Sequence, residues 1–531
     1  MSLLDVVELT ALLRQQVANR PLLLFAVLFA LFAVLPPRRR ESGPAGANLL
    51  VVLAVLSIGF YAALVTWYVA MAGYADAAEP TMAAVATLFE AGRPVYHGVA
   101  AAERYSHMYG PLAFIIPSWC LSLFPFCLTA TKIPGAAAGL LSLVAVLALT
   151  WRRGEGRTAL LLTGLFCGLC LTFQHVSFWI RPDSFELLLA AVALLAVRLP
   201  RAGAAAVALG IVTGLLAGLK MTGPLYALPA FGVLVSQRRL FALPIAAAVA
   251  AVVAVLPFLV FGNVSFDNYL LWVGVSAKNG LVFWTLKQNL EWSLFLLLPL
   301  MPAMLHRQGQ RIDPWLLATT GAGMLLVALA ASKPGAGRYH LMPFIPAILY
   351  AAASGPRTVS TPENARYLRA GVRGFALACA IVVALQVAYF LWAASRTAGL
   401  ALAADVTRFL DAHPSERIEI GYSAEDEAFS YVRPLVVFRQ RAYLLDAPAV
   451  QEYQLSGLAI PDATLRAIAR CEVNTWLIAR GGEPFSLRNR YPSTGHVPLF
   501  PADMRQAFLA AYARTSSTEY FDVWTCRHPR R

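Results

Sequence analysis

Asp76 and Glu79 stand three residues apart in the segment Tyr74-Ala-Asp76-Ala-Ala-Glu79-Pro80, directly after a long apolar run. A carboxylate beside hydrocarbon is costly unless water or a partner relieves it, so such residues usually have a function. Near neutral pH a carboxylate within hydrogen-bond reach of a hydroxyl can take its proton as a general base. If the segment is helical, the spacing puts both groups on one face, one as base and the other orienting the hydroxyl. The same pattern ahead of Pro80 and the apolar run Met82–Phe89 also fits an N-terminal helix cap.

The second chemical feature is cationic. The lysines are Lys132, Lys220, Lys278, Lys287 and Lys333. All fall on the predicted outer face, and Arg181 and Arg338 join them there. Cations placed against the positive-inside bias either snorkel to lipid headgroups or hold an anion such as a phosphate, whose developing charge Lys or Arg can stabilise without a metal. Lys278 lies in a predicted loop over 262–287 that would act as a lid. Arg181 and Asp183 either bind substrate or pair with each other at a span entrance. Tyr96 and Tyr109 line a polar pocket or join an aromatic belt, and Tyr339 and His340 complete the outer candidates. Trp284 and Trp292 read as belt residues. His97, His107 and His175 read as satisfied polar residues. No Asp-rich metal motif, no Cys/His cluster and no nucleotide-binding signature is present, so neither a metal nor a cofactor is expected. Cys167 and Cys170 read as small core residues.

These residues need a membrane to sit in. The 531 residues are 59% hydrophobic and 14% charged, against roughly 25% charge in soluble domains. Spans are predicted at about 21–35, 49–72, 134–150, 158–173, 184–199, 203–219, 224–236, 241–261, 290–305, 313–331, 339–353 and 374–394. Residues 110–128 are a further apolar segment that must not make a single net crossing, and 2–18 reads as an amphipathic interfacial helix rather than a signal peptide. Arginine clusters at Arg38–Arg40, Arg152 with Arg153 and Arg157, Arg198 with Arg201, Arg238 with Arg239, Arg307 with Arg311, and Arg366 to Arg373 set those loops in the cytoplasm. Loop 73–133 and everything after about 395 then face outward. The net charge of +14 lies in these orienting loops, which argues against a nucleic-acid partner. The fold class expected is mainly α: a bundle of about twelve or thirteen transmembrane helices over 1–395, then a small α/β domain over 396–531. In that domain 417–422, 474–479 and 520–525 read as strands, and 462–471 and 503–514 as helices. Cys471 and Cys526 are its only cysteines, and an oxidising compartment would let them pair.

In order along the chain, Asp76-x-x-Glu79, Ala91-Gly92-Arg93-Pro94-Val95-Tyr96, Tyr109-Gly110-Pro111-Leu112, Arg181-Pro182-Asp183, Gly218-Leu219-Lys220-x-Thr222-Gly223 and Gly337-Arg338-Tyr339-His340-x-x-Pro343 resemble pieces of the GT-C superfamily of membrane glycosyltransferases. The likeness is to the polyprenyl-phosphate-sugar-dependent members: the aminoarabinose transferase of lipid A, protein O-mannosyltransferases and rhizobial galacturonosyltransferases. It covers about residues 50–350. It departs from the adjacent Asp-Glu pair of several members, and Tyr109-Gly110-Pro111-Leu112 stands where some carry Lys-Pro-Pro-Leu. The resemblance implies a multi-pass enzyme of the bacterial inner membrane with its C-terminal domain in the periplasm. It would take a sugar from a polyprenyl-phosphate donor to an envelope glycolipid, polysaccharide or protein. Asp76 and Glu79 would be catalytic, and Tyr96, Tyr109, Arg181, Asp183, Lys220, Lys278, Lys333, Arg338, Tyr339 and His340 substrate-binding. The competing classes are a lipid-pyrophosphate-dependent polysaccharide ligase or polymerase, for which arginines would dominate the outer loops, and a lipid or solute transporter, for which two similar halves would be expected.

Overall fold

A computed structural model describes residues 13–34, 44–151, 155–173, 176–301, 312–354, 362–398, 400–424, 427–491 and 495–528. The start of the 2–18 segment, Arg38–Arg40, Arg152, Arg153, His175, the end of the 290–305 segment, Arg307 and Arg311 lie outside the described residues. The contacts divide the chain into two units. One comprises Met1–Tyr68, Gly135–Val255 and Leu281–Trp392; the other comprises Val69–Pro134, Leu256–Gly280 and Ala393–Arg531.

The protein is a multi-pass membrane protein. Among the described residues, five helices are long and apolar enough to cross a membrane: Asn48–Ala70, Leu128–Thr150, Ala202–Leu219, Ala242–Val260 and Arg366–Trp392. At 1.5 Å per residue, the 23 residues of Asn48–Ala70 reach about 35 Å, beyond the ~30 Å hydrocarbon core. Shorter apolar helices such as Gly156–Leu171 and Pro314–Ala330 occupy other predicted spans. Ala242–Val260 leaves Val252, Leu256, Leu259 and Val260 exposed, the surface of a helix solvated by lipid tails. Its other side meets Gly210 and Gly214 of Ala202–Leu219. A methyl group on either would come within 2.7 Å of a backbone carbonyl oxygen, of Ala246 and Ala250 respectively. Small residues four apart are the usual means by which apolar helices approach closely in lipid.

In the second unit, the apolar segment 110–128 holds the 12-residue helix Leu112–Leu123, about 18 Å long. The predicted loop 262–287 instead holds a helix, Phe266–Ala277, because Ser265 caps it by accepting from the Asn268 amide at 3.2 Å and Asp267 complements its N-terminus. Lys278 is exposed at its C-terminal cap.

The C-terminal domain is α/β. Strands β1 (Ile418–Ile420), β2 (Thr475–Ala479), β3 (Tyr512–Ser517) and β4 (Phe521–Cys526) form one sheet in the order β1-β2-β4-β3. β1 runs parallel to β2, and the other pairs are antiparallel. Alternation along β2 sends Leu477 to one face, with Val406 and Leu410 of helix Leu402–Ala412. It sends Trp476 and Ile478 to the other, with Ile468, Met504 and Phe508 of helices Asp462–Ala469 and Ala502–Ala511. The predicted helix over 503–514 stops at Ala511, and the chain turns into β3 where Tyr512 enters the core. Cys471 and Cys526 form a disulfide with Cα atoms 5.9 Å apart, joining the end of β4 to the turn after Asp462–Ala469.

Candidate functional site

In the second unit, the carboxylate turn follows the span Asn48–Ala70 and leads into helix Ala78–Glu90. Pro80 is tolerated there because the first turn of a helix needs no amide donor. Glu79 is completely buried and folds back to accept from the backbone amides of Ala75 at 2.7 Å and Asp76 at 3.0 Å. Asp76 is half-buried, and its Oδ1 accepts from the Ala78 amide at 2.9 Å. Both carboxylates therefore serve the helix start, yet only Asp76 retains exposed surface. The fully buried Lys132 donates to the Met71 carbonyl at 2.6 Å and lies 5.3 Å from the Tyr74 ring centroid, and the Glu79 charge acts on it.

The rest of the first loop is fastened within the same unit. Tyr96 is buried, donates to the Tyr109 carbonyl at 2.6 Å and packs on Tyr269 at 5.3 Å. Tyr109 is half-buried and stacks on His107 at 6.1 Å. His97 Nε2 accepts from the amides of Tyr105 at 3.1 Å and Ser106 at 3.2 Å, which requires a neutral ring. Burial, with the Arg104 charge, pushes its pKa down to about 3.

The second cluster belongs to the first unit and is built at helix ends. Asp183 and Glu186 lie three residues apart in helix Pro182–Ala196, both fully buried, and Asp183 occupies the first turn, where the helix dipole favours a negative charge. Lys220 caps the C-terminus of Ala202–Leu219, the end that favours a cation. Its Nζ donates to Asp183 Oδ1 at 2.8 Å and lies 3.3 Å from Glu186 Oε2. The turn is tight because Gly223 lies against Leu216, where a methyl group would meet the carbonyl oxygen at 2.0 Å. Arg181 Nε reaches Asp183 Oδ2 at 3.2 Å, and its guanidinium lies 4.9 Å from the Tyr339 ring centroid. His340 Nδ1 is 3.7 Å from Asp183 Oδ1. Lys333 is half-buried, and its charge acts on His340. Arg338 is buried, donates to Asn19 and lies 5.1 Å from the ring centroid of the fully buried Trp292, so Trp292 is not a belt residue. Trp284 is 70% exposed.

Arg181, Asp183, Lys220, Tyr339 and His340 are thus brought together, with Lys333 and Arg338 on the adjoining turn. Asp76, Glu79, Tyr96, Tyr109 and Lys278 belong to the other unit. Sequence reasoning missed Glu186, although its three-residue spacing from Asp183 was a usable signal. It also missed Arg433, Asp446 and Tyr443, which contact one another and the first loop from more than 300 residues away in sequence. Among the described residues, no group of three or more His, Cys, Asp or Glu side chains could hold a metal ion.

No family model and no curated protein matches the chain. It is similar to solved structures of ArnT from Cupriavidus metallidurans. With the apo form it shares 14% identity over 90% of this chain and 98% of that one, at a TM-score of 0.48. With the form bound to undecaprenyl phosphate it shares 14% identity over 91% and 98%, at a TM-score of 0.46.

Proposed function

We propose that the chain is a glycosyltransferase of GT-C type that moves a sugar from a polyprenyl-phosphate donor to an acceptor hydroxyl at the periplasmic face of the bacterial inner membrane. The acceptor would be an envelope glycolipid, polysaccharide or protein. The observation that carries this reading is the Asp76 carboxylate, fixed by the Ala78 amide yet half-exposed, six residues beyond a membrane span. Asp76 takes the acceptor proton as the acceptor oxygen forms its bond to the anomeric carbon. The bond from that carbon to the phosphate oxygen breaks, and its electron pair leaves with the polyprenyl phosphate. Glu79 holds the turn from below, since its carboxylate is buried and occupied by backbone amides.

The departing phosphate needs cations. Arg181, Lys220, Lys333 and Arg338, with Tyr339 and His340, are assigned to it, with Asp183 and Glu186 anchoring Lys220. Tyr96, Tyr109 and Lys278 are assigned to substrate binding. The test is transfer of labelled sugar from undecaprenyl-phosphate-linked donors to envelope extract by purified protein. Asp76→Asn should lower the rate by about two orders of magnitude or more, the scale of general-base loss, while Glu79→Gln acts mainly through stability. Near wild-type transfer by Asp76→Asn removes the base assignment. Undecaprenyl phosphate binding that is unchanged by Lys220→Ala, Lys333→Ala and Arg338→Ala removes the phosphate assignment.

A further inference from the structure

One buried ion pair in the C-terminal domain is directed at the carboxylate turn. Arg433 is 1% exposed and Asp446 is fully buried, with Nη2 and Oδ1 3.2 Å apart. Arg433 does not stop at its partner. The same Nη2 donates to the carbonyl of Ala77 at 2.8 Å, the residue following Asp76, and to the Thr81 hydroxyl at 2.9 Å. The Thr81 hydroxyl in turn donates to Asp446 Oδ1 at 2.8 Å. Asp446 also accepts from the Tyr443 hydroxyl at 2.7 Å and the Ala449 amide at 3.1 Å, and meets His107 Nε2 at 3.3 Å. Burial pushes the Asp446 carboxyl upward, but Arg433 and His107 outweigh it and hold it below the usual carboxylate range.

The connection continues along the backbone. Arg104 forms a parallel bridge with Leu445, its amide donating to the Leu444 carbonyl at 2.7 Å and its carbonyl accepting from the Asp446 amide at 2.8 Å. The segment that carries Asp446 is therefore registered to the first loop by main-chain bonds, and its side chain then fixes Thr81 and His107 on either side of that bridge. A guanidinium with hydrogen bonds to Ala77 and Thr81 spans the N-terminal end of helix Ala78–Glu90, whose first amide orients Asp76. Charge-assisted bonds of this kind are directional and costly to leave half-made.

We propose that Arg433 and Asp446 are positioning residues for the carboxylate turn 74–81, so that the C-terminal domain is part of the machinery that aims Asp76. This rests on the base role given to Asp76 above. The test uses the full-length protein and three variants: Thr81→Val, which deletes only the shared hydroxyl, Arg433→Gln and Arg433→Lys. Amide exchange and transfer kinetics are both measured. The Ala78 amide, which bonds to Asp76, should exchange at least tenfold faster in Thr81→Val and Arg433→Gln, while Trp476 to Ile478 in β2 stay within twofold. Turnover should fall at least tenfold with donor KM within twofold, and Arg433→Lys should recover a part of it. Unchanged exchange at Ala78, or turnover within twofold of wild type in Thr81→Val, overturns this inference alone if Asp76→Asn is inactive. Wild-type transfer by Asp76→Asn overturns the base reading and this inference together.

Discussion

The two acidic pairs, Asp76 with Glu79 and Asp183 with Glu186, share a three-residue spacing and a place at the start of a helix, yet they are held differently. Asp183 lies between Lys220 and Arg181, fully buried, with Glu186 on the far side of the same lysine. Asp76 and Glu79 take backbone amides, and Asp76 stays half-exposed. A carboxylate enclosed by cations fixes helix ends and sets a field. One held by a backbone amide at a half-buried position can meet a substrate hydroxyl. Spacing in sequence is the same for both pairs; partial exposure separates Asp76 from Glu79, Asp183 and Glu186, which are all fully buried.

That contrast can be broken by matched substitutions. Asp183→Asn leaves Lys220 and Arg181 without their shared anion in a buried site, and removing one partner of a buried pair costs about 3–5 kcal/mol. Thermal unfolding should show this as the largest stability loss among the four acidic positions. Glu186→Gln should cost less, about 1–3 kcal/mol, because Glu186 makes the longer contact at 3.3 Å and its Oε1 has no hydrogen-bond partner. Equal losses at 183 and 186 would mean that Lys220 does not favour Asp183.

A pH series sharpens the other side. His97 is held neutral with its pKa at about 3, whereas in the unfolded chain it protonates near 6.5. The folded-state value is depressed, so its contribution is present above pH ~6.5 and is lost as pH falls toward 3, at up to about 1.4 kcal/mol per pH unit. The opening free energy of the loop 97–106, taken from exchange of the Tyr105 and Ser106 amides after correction for the intrinsic rate at each pH, should fall from pH 7.5 through 6.5 to 5.5. A flat profile would mean that the ring is already charged. Glu79→Gln keeps one acceptor oxygen for the Ala75 and Asp76 amides but removes the charge that acts on the buried Lys132, so its unfolding loss should be about 1–3 kcal/mol, below that of Asp183→Asn.

Local pattern made much of the fold legible. The strand alternation at 417–422 and 474–479 is visible because each face of the sheet buries its own cluster. The cationic turns were legible because Lys220, Lys333 and Arg338 each stand where a span begins or ends. Helix Phe266–Ala277 escaped because it is too short and too polar to read as a span, and its signal is a single Ser265 cap. β3 escaped because Ala502–Ala511 runs into it without a turn residue. The Arg433–Asp446 network carries no local signature at all, since its bonds to Ala77 and Thr81 join positions over 350 residues apart. Asp76-x-x-Glu79 fitted both a cap and a catalytic pair, and the structure gives the capping bonds with Asp76 half-buried.

The most direct measurement is sugar transfer by folded, purified Asp76→Asn beside Asp183→Asn, each normalised to the fraction of protein that melts cooperatively. Asp76→Asn should melt within about 2 °C of wild type and transfer at least about a hundredfold more slowly, while Asp183→Asn loses stability first. Near wild-type transfer by a well-folded Asp76→Asn protein would contradict the base role of Asp76.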